Sequence, residues 1–233
     1  MIVALNNKCN LNKEEFLEYQ GKLKLIKSQS KIILCPTLLN ISLFNLDNIS
    51  LGAQNVNNKS DGAFTGEVSA NQLKTHGVEY CIVGHSERRA YQLETNKIIN
   101  EKIKELLKNN ITPILCIGET KEERESGKVT QILKKELKEA TEDLTSLEKN
   151  RLIIAYEPIW SIGTGLIPTI KEIEAVFELI KAEFPKNKIL YGGSANEENI
   201  GILKATSIID GYLLGGISLK PEKLQLFLTK LEN

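Results

Sequence analysis

The chain has 233 residues and a balanced charge, with 30 basic and 30 acidic residues, which argues against nucleic acid or an acidic membrane surface as a partner. The four cysteines are scattered without a CxxC pair, a pattern that indicates reduced thiols in a cytoplasmic protein. We expect neither a signal peptide nor a transmembrane segment, because the N-terminus lacks a basic region and a long apolar run.

Short apolar runs rich in β-branched residues recur along the chain and predict buried parallel strands. They cover residues 2–5, 31–35, 49–54, 79–84, 111–117, 151–157, 188–193 and 207–216. Amphipathic stretches between them predict helices at 13–28, 95–110, 130–140, 169–184, 196–206 and 218–233. Several of these begin at Ser, Thr or Asn, the residues that N-caps prefer. The mixed charge run 121–128 (KEERESGK) predicts a solvated face.

Eight predicted strands alternating with helices indicate an α/β fold with a parallel sheet, and the length suits a single (β/α)8 barrel domain over residues 1–233. The alternative is a doubly wound open sheet. It is disfavoured because no GxGxxG follows the first strand and no change of composition divides the chain.

Catalytic groups of such barrels lie at the carboxyl ends of the strands. Reactive residues and glycines follow six of the predicted strands: Asn6, Lys8, His85, Glu87, Cys116, Glu119, Glu157, Ser194, Gly215 and Gly216. Backbone N–H groups of glycines after the last two strands suit a phosphate. Each residue alone also has a plain structural explanation, such as a surface glutamate, a packed histidine or a simple turn.

The stretch AYEPIWSIGTG (155–165) places a carboxylate, Glu157, between a strand and a glycine-containing flap. A desolvated carboxylate in this position can remove a carbon-bound proton. His85 lies at a predicted helix start, where burial and backbone N–H groups would favour a neutral imidazole able to polarise a carbonyl. Lys8 would stabilise developing negative charge.

Seven motifs, in this order along the chain, resemble the triosephosphate isomerase family: NNK (6–8), GAFTGE (62–67), GHSERR (84–89), LCIGET (115–120), AYEPIWSIGTG (155–165), YGGS (191–194) and GYLLGGISL (211–219). The resemblance implies a cytoplasmic enzyme of glycolysis and gluconeogenesis that interconverts dihydroxyacetone phosphate and D-glyceraldehyde 3-phosphate. It implies Glu157 as base, His85 as neutral electrophile and Lys8 as cation, the family's own assignment, with Glu87 in support.

The resemblance further implies substrate contacts from Asn6, Lys8, Gly163, Ser194, Gly215 and Gly216, with no cofactor. We expect no metal site, because two separated histidines and scattered cysteines offer no ligand cluster. The family's long loop, here 55–67, docks into a second subunit. A homodimer is therefore expected, with Thr65 near the partner's site.

Two positions depart from the family pattern: Asn7 stands where tryptophan is common, and residues 166–168 (Leu-Ile-Pro) replace a smaller or more polar second hinge of the flap. Two other functions stay open. One is a barrel glycosidase that uses Glu157 and Glu119 as its two carboxylates. The other is a non-catalytic protein that binds a phosphorylated metabolite on the same scaffold.

Overall fold

The computed structural model describes residues 1–233 and contains a closed barrel of eight parallel strands in sequential order. The strands are β1 (Ile2–Asn6), β2 (Lys31–Cys35), β3 (Ser50–Ala53), β4 (Tyr80–Val83), β5 (Thr112–Ile117), β6 (Ile153–Tyr156), β7 (Lys188–Tyr191) and β8 (Gly211–Leu214). Closure comes from the β1–β8 ladder, which runs from the Ile2–Gly211 pair to the Leu5–Leu214 pair. The predicted (β/α)8 barrel is confirmed.

The strands are connected through helices. These are α1 (Lys13–Leu23), α2 (Leu38–Ile41), α3 (Ala70–Thr75), α4 (Ser86–Tyr91), α5 (Asn96–Lys108), α6 (Lys121–Glu125), α7 (Val129–Ala140), α8 (Ser146–Lys149), α9 (Ile170–Glu183), α10 (Ile200–Leu203) and α11 (Pro221–Glu232). Short 3-10 turns cover Ile159–Ser161 and Gly216–Leu219. None of the helices combines the length and apolar character needed to cross a bilayer.

The apolar core has two layers because successive strand residues face opposite sides of the sheet. Ala4, Ile33 and Leu213 belong to the inner layer, which fills the barrel. Val3 and Leu5, on either side of Ala4, belong to the outer layer between the strands and the helices. The filled interior leaves space for a site only at the open carboxyl end of the barrel.

Some predicted segments are shorter in the structure. The stretch 13–28 is helical only to Leu23, and Gly21 lies inside this helix without breaking it. The stretch 196–206 is helical only over Ile200–Leu203. The Asn196 side chain accepts the N–H groups of Glu198 and Asn199, a turn that competes with the helix. Residues 207–210 lead into β8 as turn and coil.

The predicted N-caps at the two longest helices are present. The Thr95 side chain accepts the Ile98 N–H at the start of α5. The Thr169 side chain accepts the Glu172 N–H at the start of α9, and the Glu172 carboxylate accepts the Thr169 N–H in return. This reciprocal capping fixes where α9 begins after the flap.

Candidate active site

A cavity of about 280 Å³ opens at the carboxyl ends of the strands. It brings together residues from five strand ends that are far apart in the sequence. The predicted site residues that line it are Asn6, Lys8, His85, Glu157, Gly163, Ser194, Gly215 and Gly216. Glu87 lines the adjoining cavity instead, and Thr65 is exposed on the loop 55–67.

Glu157 follows β6 directly and extends its pairing, because its N–H donates to the Ile117 carbonyl at 2.7 Å. The side chain is buried, and one carboxylate oxygen accepts the Ser86 backbone N–H at 3.0 Å. The other lies 3.0 Å from His85 Nε2. Burial raises the pKa of Glu157, but His85, the Ser86 N–H and Lys8 more than offset it and hold the pKa below its usual value. The carboxylate is therefore ionised at neutral pH.

His85 is the N-cap of α4, and its Nδ1 accepts the Glu87 backbone N–H at 3.2 Å. An Nδ1 that accepts a hydrogen bond carries no proton, so the ring donates through Nε2 to Glu157. Burial lowers the pKa of His85, but the Glu157 carboxylate, and then Glu87, raise it above the usual value. The expected lowering of this pKa is therefore wrong, because the sequence does not reveal the Glu157 carboxylate 3.0 Å from the ring.

Glu157→Gln is expected to bring the pKa of His85 below 6.5, because it removes the main carboxylate that raises it and leaves burial in place. The measurement is an NMR titration of the His85 ring in the parent and the variant. His76 is the only other histidine, so the assignment is simple. An unchanged or higher value in the variant would contradict this account of the pair.

Lys8 is held from two sides. Its Nζ donates to Glu87 at 2.6 Å, and its backbone N–H donates to Asn6 Oδ1 at 3.0 Å. Lys8 also has a left-handed backbone, with φ of 52°, which a non-glycine residue rarely adopts. Glu87 and Asn6 therefore both position Lys8.

The flap, residues 161–165 with its first hinge at 158–160 and its second at 166–168, is hydrogen-bonded to Ser194. The Ser194 hydroxyl donates to the Ser161 carbonyl at 2.5 Å and accepts the Gly165 N–H at 3.3 Å. The Ser161 hydroxyl donates to the Leu166 carbonyl at 2.6 Å. Gly163 and Gly165 have φ of 71° and 80°, which explains why glycine stands at both positions.

Glu119 has a role that the sequence did not predict. Its side chain is fully buried, and one oxygen accepts from Tyr156 at 3.0 Å, Trp160 Nε1 at 3.0 Å and Arg124 at 2.8 Å. Trp160 belongs to the first hinge of the flap. Arg124 also pairs with Glu172, which caps the helix after the second hinge. Glu119 and Arg124 therefore connect both ends of the flap.

Arg124 lies in the run 121–128, which was predicted as a solvated face. This prediction is wrong for Arg124, whose side chain is 19% exposed. Its guanidinium lies over the Trp160 ring, 4.9 Å from the centroid. The sequence signal for this contact was Trp160, an aromatic residue next to the flap glycines. Periodicity could not identify its partner Arg124, which lies 36 positions earlier in the chain.

A second cavity, of about 520 Å³, adjoins the first and shares Asn6, Lys8 and His85 with it. Glu87 and Tyr91 line its other side. No group of three or more histidine, cysteine, aspartate or glutamate side chains is placed to hold a metal ion. Lys8 is thus bordered by two cavities, one under the flap and one beside α4.

The cavity of this closed (β/α)8 barrel holds a buried carboxylate, an imidazole and an ammonium group. These features place the chain among barrel proteins that have a site for acid–base chemistry. Residues 1–231 match the triosephosphate isomerase family model. Similar relatives include the triosephosphate isomerase of Mycoplasmopsis pulmonis, which is 43% identical over 202 residues, with 84% of this chain and 80% of the relative covered. That of Alkaliphilus oremlandii is 38% identical over 237 residues, with 95% and 96% covered. The chain belongs to the triosephosphate isomerase family.

Proposed function

We propose that the chain interconverts dihydroxyacetone phosphate and D-glyceraldehyde 3-phosphate, a reaction of glycolysis and gluconeogenesis. The observation that carries this proposal is the meeting of Glu157, His85 and Lys8 at one cavity beside the Gly215–Gly216 turn. A base, a hydrogen-bond donor and a cation suit proton transfer next to a carbonyl. The glycine turn suits the phosphate of the same substrate.

Glu157 removes a proton from the carbon beside the carbonyl and returns it to the neighbouring carbon. Both of its carboxylate oxygens have protein partners, the Ser86 N–H and His85 Nε2. Substrate binding must therefore release the carboxylate from at least one of these contacts. Once the Glu157 carboxylate faces the substrate carbon, its interaction with His85 weakens and raises the pKa of His85 less. Burial then favours the neutral ring.

The neutral His85 ring donates its Nε2–H to the substrate oxygen as the enediolate forms. Lys8 stabilises the same negative charge at low cost, because Glu87 and Asn6 already fix its position. The flap excludes water from the enediolate and supplies Gly163 to the phosphate. Ser194, bonded to both Ser161 and Gly165, couples closure of the flap to phosphate binding.

Pro168→Ala is expected to weaken binding of a phosphate-bearing transition-state analogue roughly two- to fivefold, because alanine enlarges the set of open flap conformations. Pro168 precedes the Thr169 cap and lies outside α9, so the loss would not come from the helix. Titration calorimetry gives the affinity. A phosphate-free substrate should react as in the parent, and an equal loss toward both ligands would refute the hinge explanation.

The two alternatives are less well supported. A glycosidase needs a second carboxylate at the cavity, whereas Glu119 is fully buried, bonded to three side chains and absent from the cavity lining. A binding protein would not need Glu157 desolvated and aligned with His85. The deciding experiment is turnover of triose phosphates by the purified protein, with an aryl glycoside as the competing substrate. No isomerisation, or cleavage of the glycoside, would overturn the proposal.

We also propose a homodimer in which loop 55–67 enters the second cavity of the partner. The loop is anchored in its own subunit, since Lys59 pairs with Glu101 and Ser60 donates to Glu105. Its tip is nevertheless exposed, and Phe64 presents 44% of its surface to solvent. The exposed Phe64 ring at the tip of one subunit's loop could fill the open cavity beside Lys8 of the other subunit. Thr65, next to Phe64, would then approach the partner's site.

We further propose that residues 1–233 act as one domain in the cytoplasm. Support for one domain comes from pairing of the first strand with the last. Support for the cytoplasm comes from the four cysteines, which are all free thiols.

A further inference from the structure

Asn7 is fully enclosed although it is polar. It is 1% exposed, and its Nδ2 lies 3.3 Å from the Tyr19 hydroxyl and 3.3 Å from Ser218 Oγ. The Tyr19 hydroxyl donates to the Ser218 carbonyl at 2.6 Å, and Ser218 Oγ donates to the Asn6 carbonyl at 3.1 Å. Both partners of Asn7 are buried as well. We call Asn7, Tyr19 and Ser218 the Asn7 network.

The directions of these hydrogen bonds are determined by counting donors. Each hydroxyl has one proton, and both protons are already donated to carbonyls, so each hydroxyl can only accept from Asn7. The group that Asn7 turns toward them must then be its NH2, and its Oδ1 has no partner. A buried acceptor without a partner is costly. The side chain keeps this orientation because the two contacts of its NH2 group offset that cost.

The Asn7 network joins two backbone segments that the sheet leaves unconnected. The β1–β8 ladder ends at the Leu5–Leu214 pair, before Lys8 on one side and the Gly215–Gly216 turn on the other. Ser218 belongs to the 3-10 turn that follows, and its N–H donates to the Gly215 carbonyl at 2.8 Å. Hydrogen bonds from side chains continue the connection where the ladder stops.

The two connected segments are close in space at the candidate site. Lys8 Cε lies 3.3 Å from where a Cβ on Gly215 would stand. Lys8 also keeps its left-handed backbone, a conformation that persists only when surrounding contacts hold it. A shift between β1 and the turn would therefore change the position of the ammonium group relative to the backbone of Gly215 and Gly216.

We propose that Asn7, Tyr19 and Ser218 are positioning residues for the phosphate of the substrate. They set the distance between Lys8 and the Gly215–Gly216 turn. This inference rests on the proposed function, because it takes the glycine turn, together with Lys8, which also stabilises the enediolate, as the groups that meet the phosphate.

The test uses Tyr19→Phe and Ser218→Ala, which each remove one hydroxyl. Loss of one link in the network is expected to raise KM for the triose phosphate, and Kd for inorganic phosphate, roughly three- to tenfold. Turnover of D-glyceraldehyde, which lacks the phosphate, should fall less than turnover of the triose phosphate, because only the contribution of Lys8 to the enediolate is then changed. The effects of the two substitutions should not multiply in the double variant, because they act on one network.

Tyr212→Phe is the matched control, since Tyr212 is a buried tyrosine whose hydroxyl has no hydrogen-bond partner. It should leave KM and phosphate affinity unchanged. Unchanged phosphate affinity in both network variants, or an equal loss in Tyr212→Phe, would overturn the positioning role. So would failure of the network variants to fold while the control folds. The proposed function fails separately, if the parent protein itself does not isomerise triose phosphates.

Discussion

Glu157→Asp is expected to lower kcat roughly 10²-fold with little change in substrate binding, because shortening the side chain withdraws the carboxylate by about 1 Å. Glu157 is 2% exposed, so the protein around it offers little freedom to compensate for that retraction. Steady-state kinetics in both directions of the reaction would measure the loss.

Glu119→Asp is the control for this prediction, because Glu119 is a buried carboxylate at the neighbouring strand end but does not line the cavity. Its kcat should fall much less. Glu157→Gln, which removes the base altogether, should lose more activity than Glu157→Asp. A near-normal kcat in Glu157→Asp would remove this residue from the role of base.

Phe64→Asp is expected to convert the proposed homodimer to monomers and to abolish most of the activity. Loss of a buried aromatic anchor at an interface typically weakens association by a factor on the order of 10² to 10³. The loop should keep its shape, because the anchoring contacts of Lys59 and Ser60 are untouched. Activity falls because the cavity beside Lys8 is then left open to solvent.

Sedimentation velocity and an assay at the same protein concentration would test this. Leu147→Asp is the control, since Leu147 is 80% exposed and precedes β6, at the opposite end of the barrel from the site. It should remain dimeric and active. A fully active Phe64→Asp monomer, or an unchanged dimer, would contradict the proposed role of the loop.

The closed barrel was predictable because its signal is local. Each strand appears as a short apolar run, and each long helix as an amphipathic stretch with a capping residue such as Thr95 or Thr169. Boundaries were less predictable where a side chain competes with the helix, as Asn196 does before α10. The family was equally predictable, because the seven motifs lie in order along the chain.

The positions of the candidate site residues also followed from the sequence. Lys8, His85 and Glu157 each follow a predicted strand, and parallel strands closed in a barrel bring their carboxyl ends to one mouth. The pKa values and hydrogen-bond partners of these residues did not follow from the sequence. The pKa of His85 is raised by a carboxylate 72 positions away, and Glu157 is bound by a backbone N–H of Ser86 that no side-chain pattern reveals.

The sequence alone determined the elements, their order and the residues at the strand ends, because hydrophobic periodicity, caps and motifs act over a few neighbouring residues. The tertiary structure alone decided which distant groups meet. Glu119 contacts Trp160 because β5 and β6 pair side by side, and Asn7 contacts Ser218, 211 positions further on, because the barrel closes. Hydrogen bonds and charge effects depend on distances of about 3 Å in space, and separation along the chain does not encode such distances.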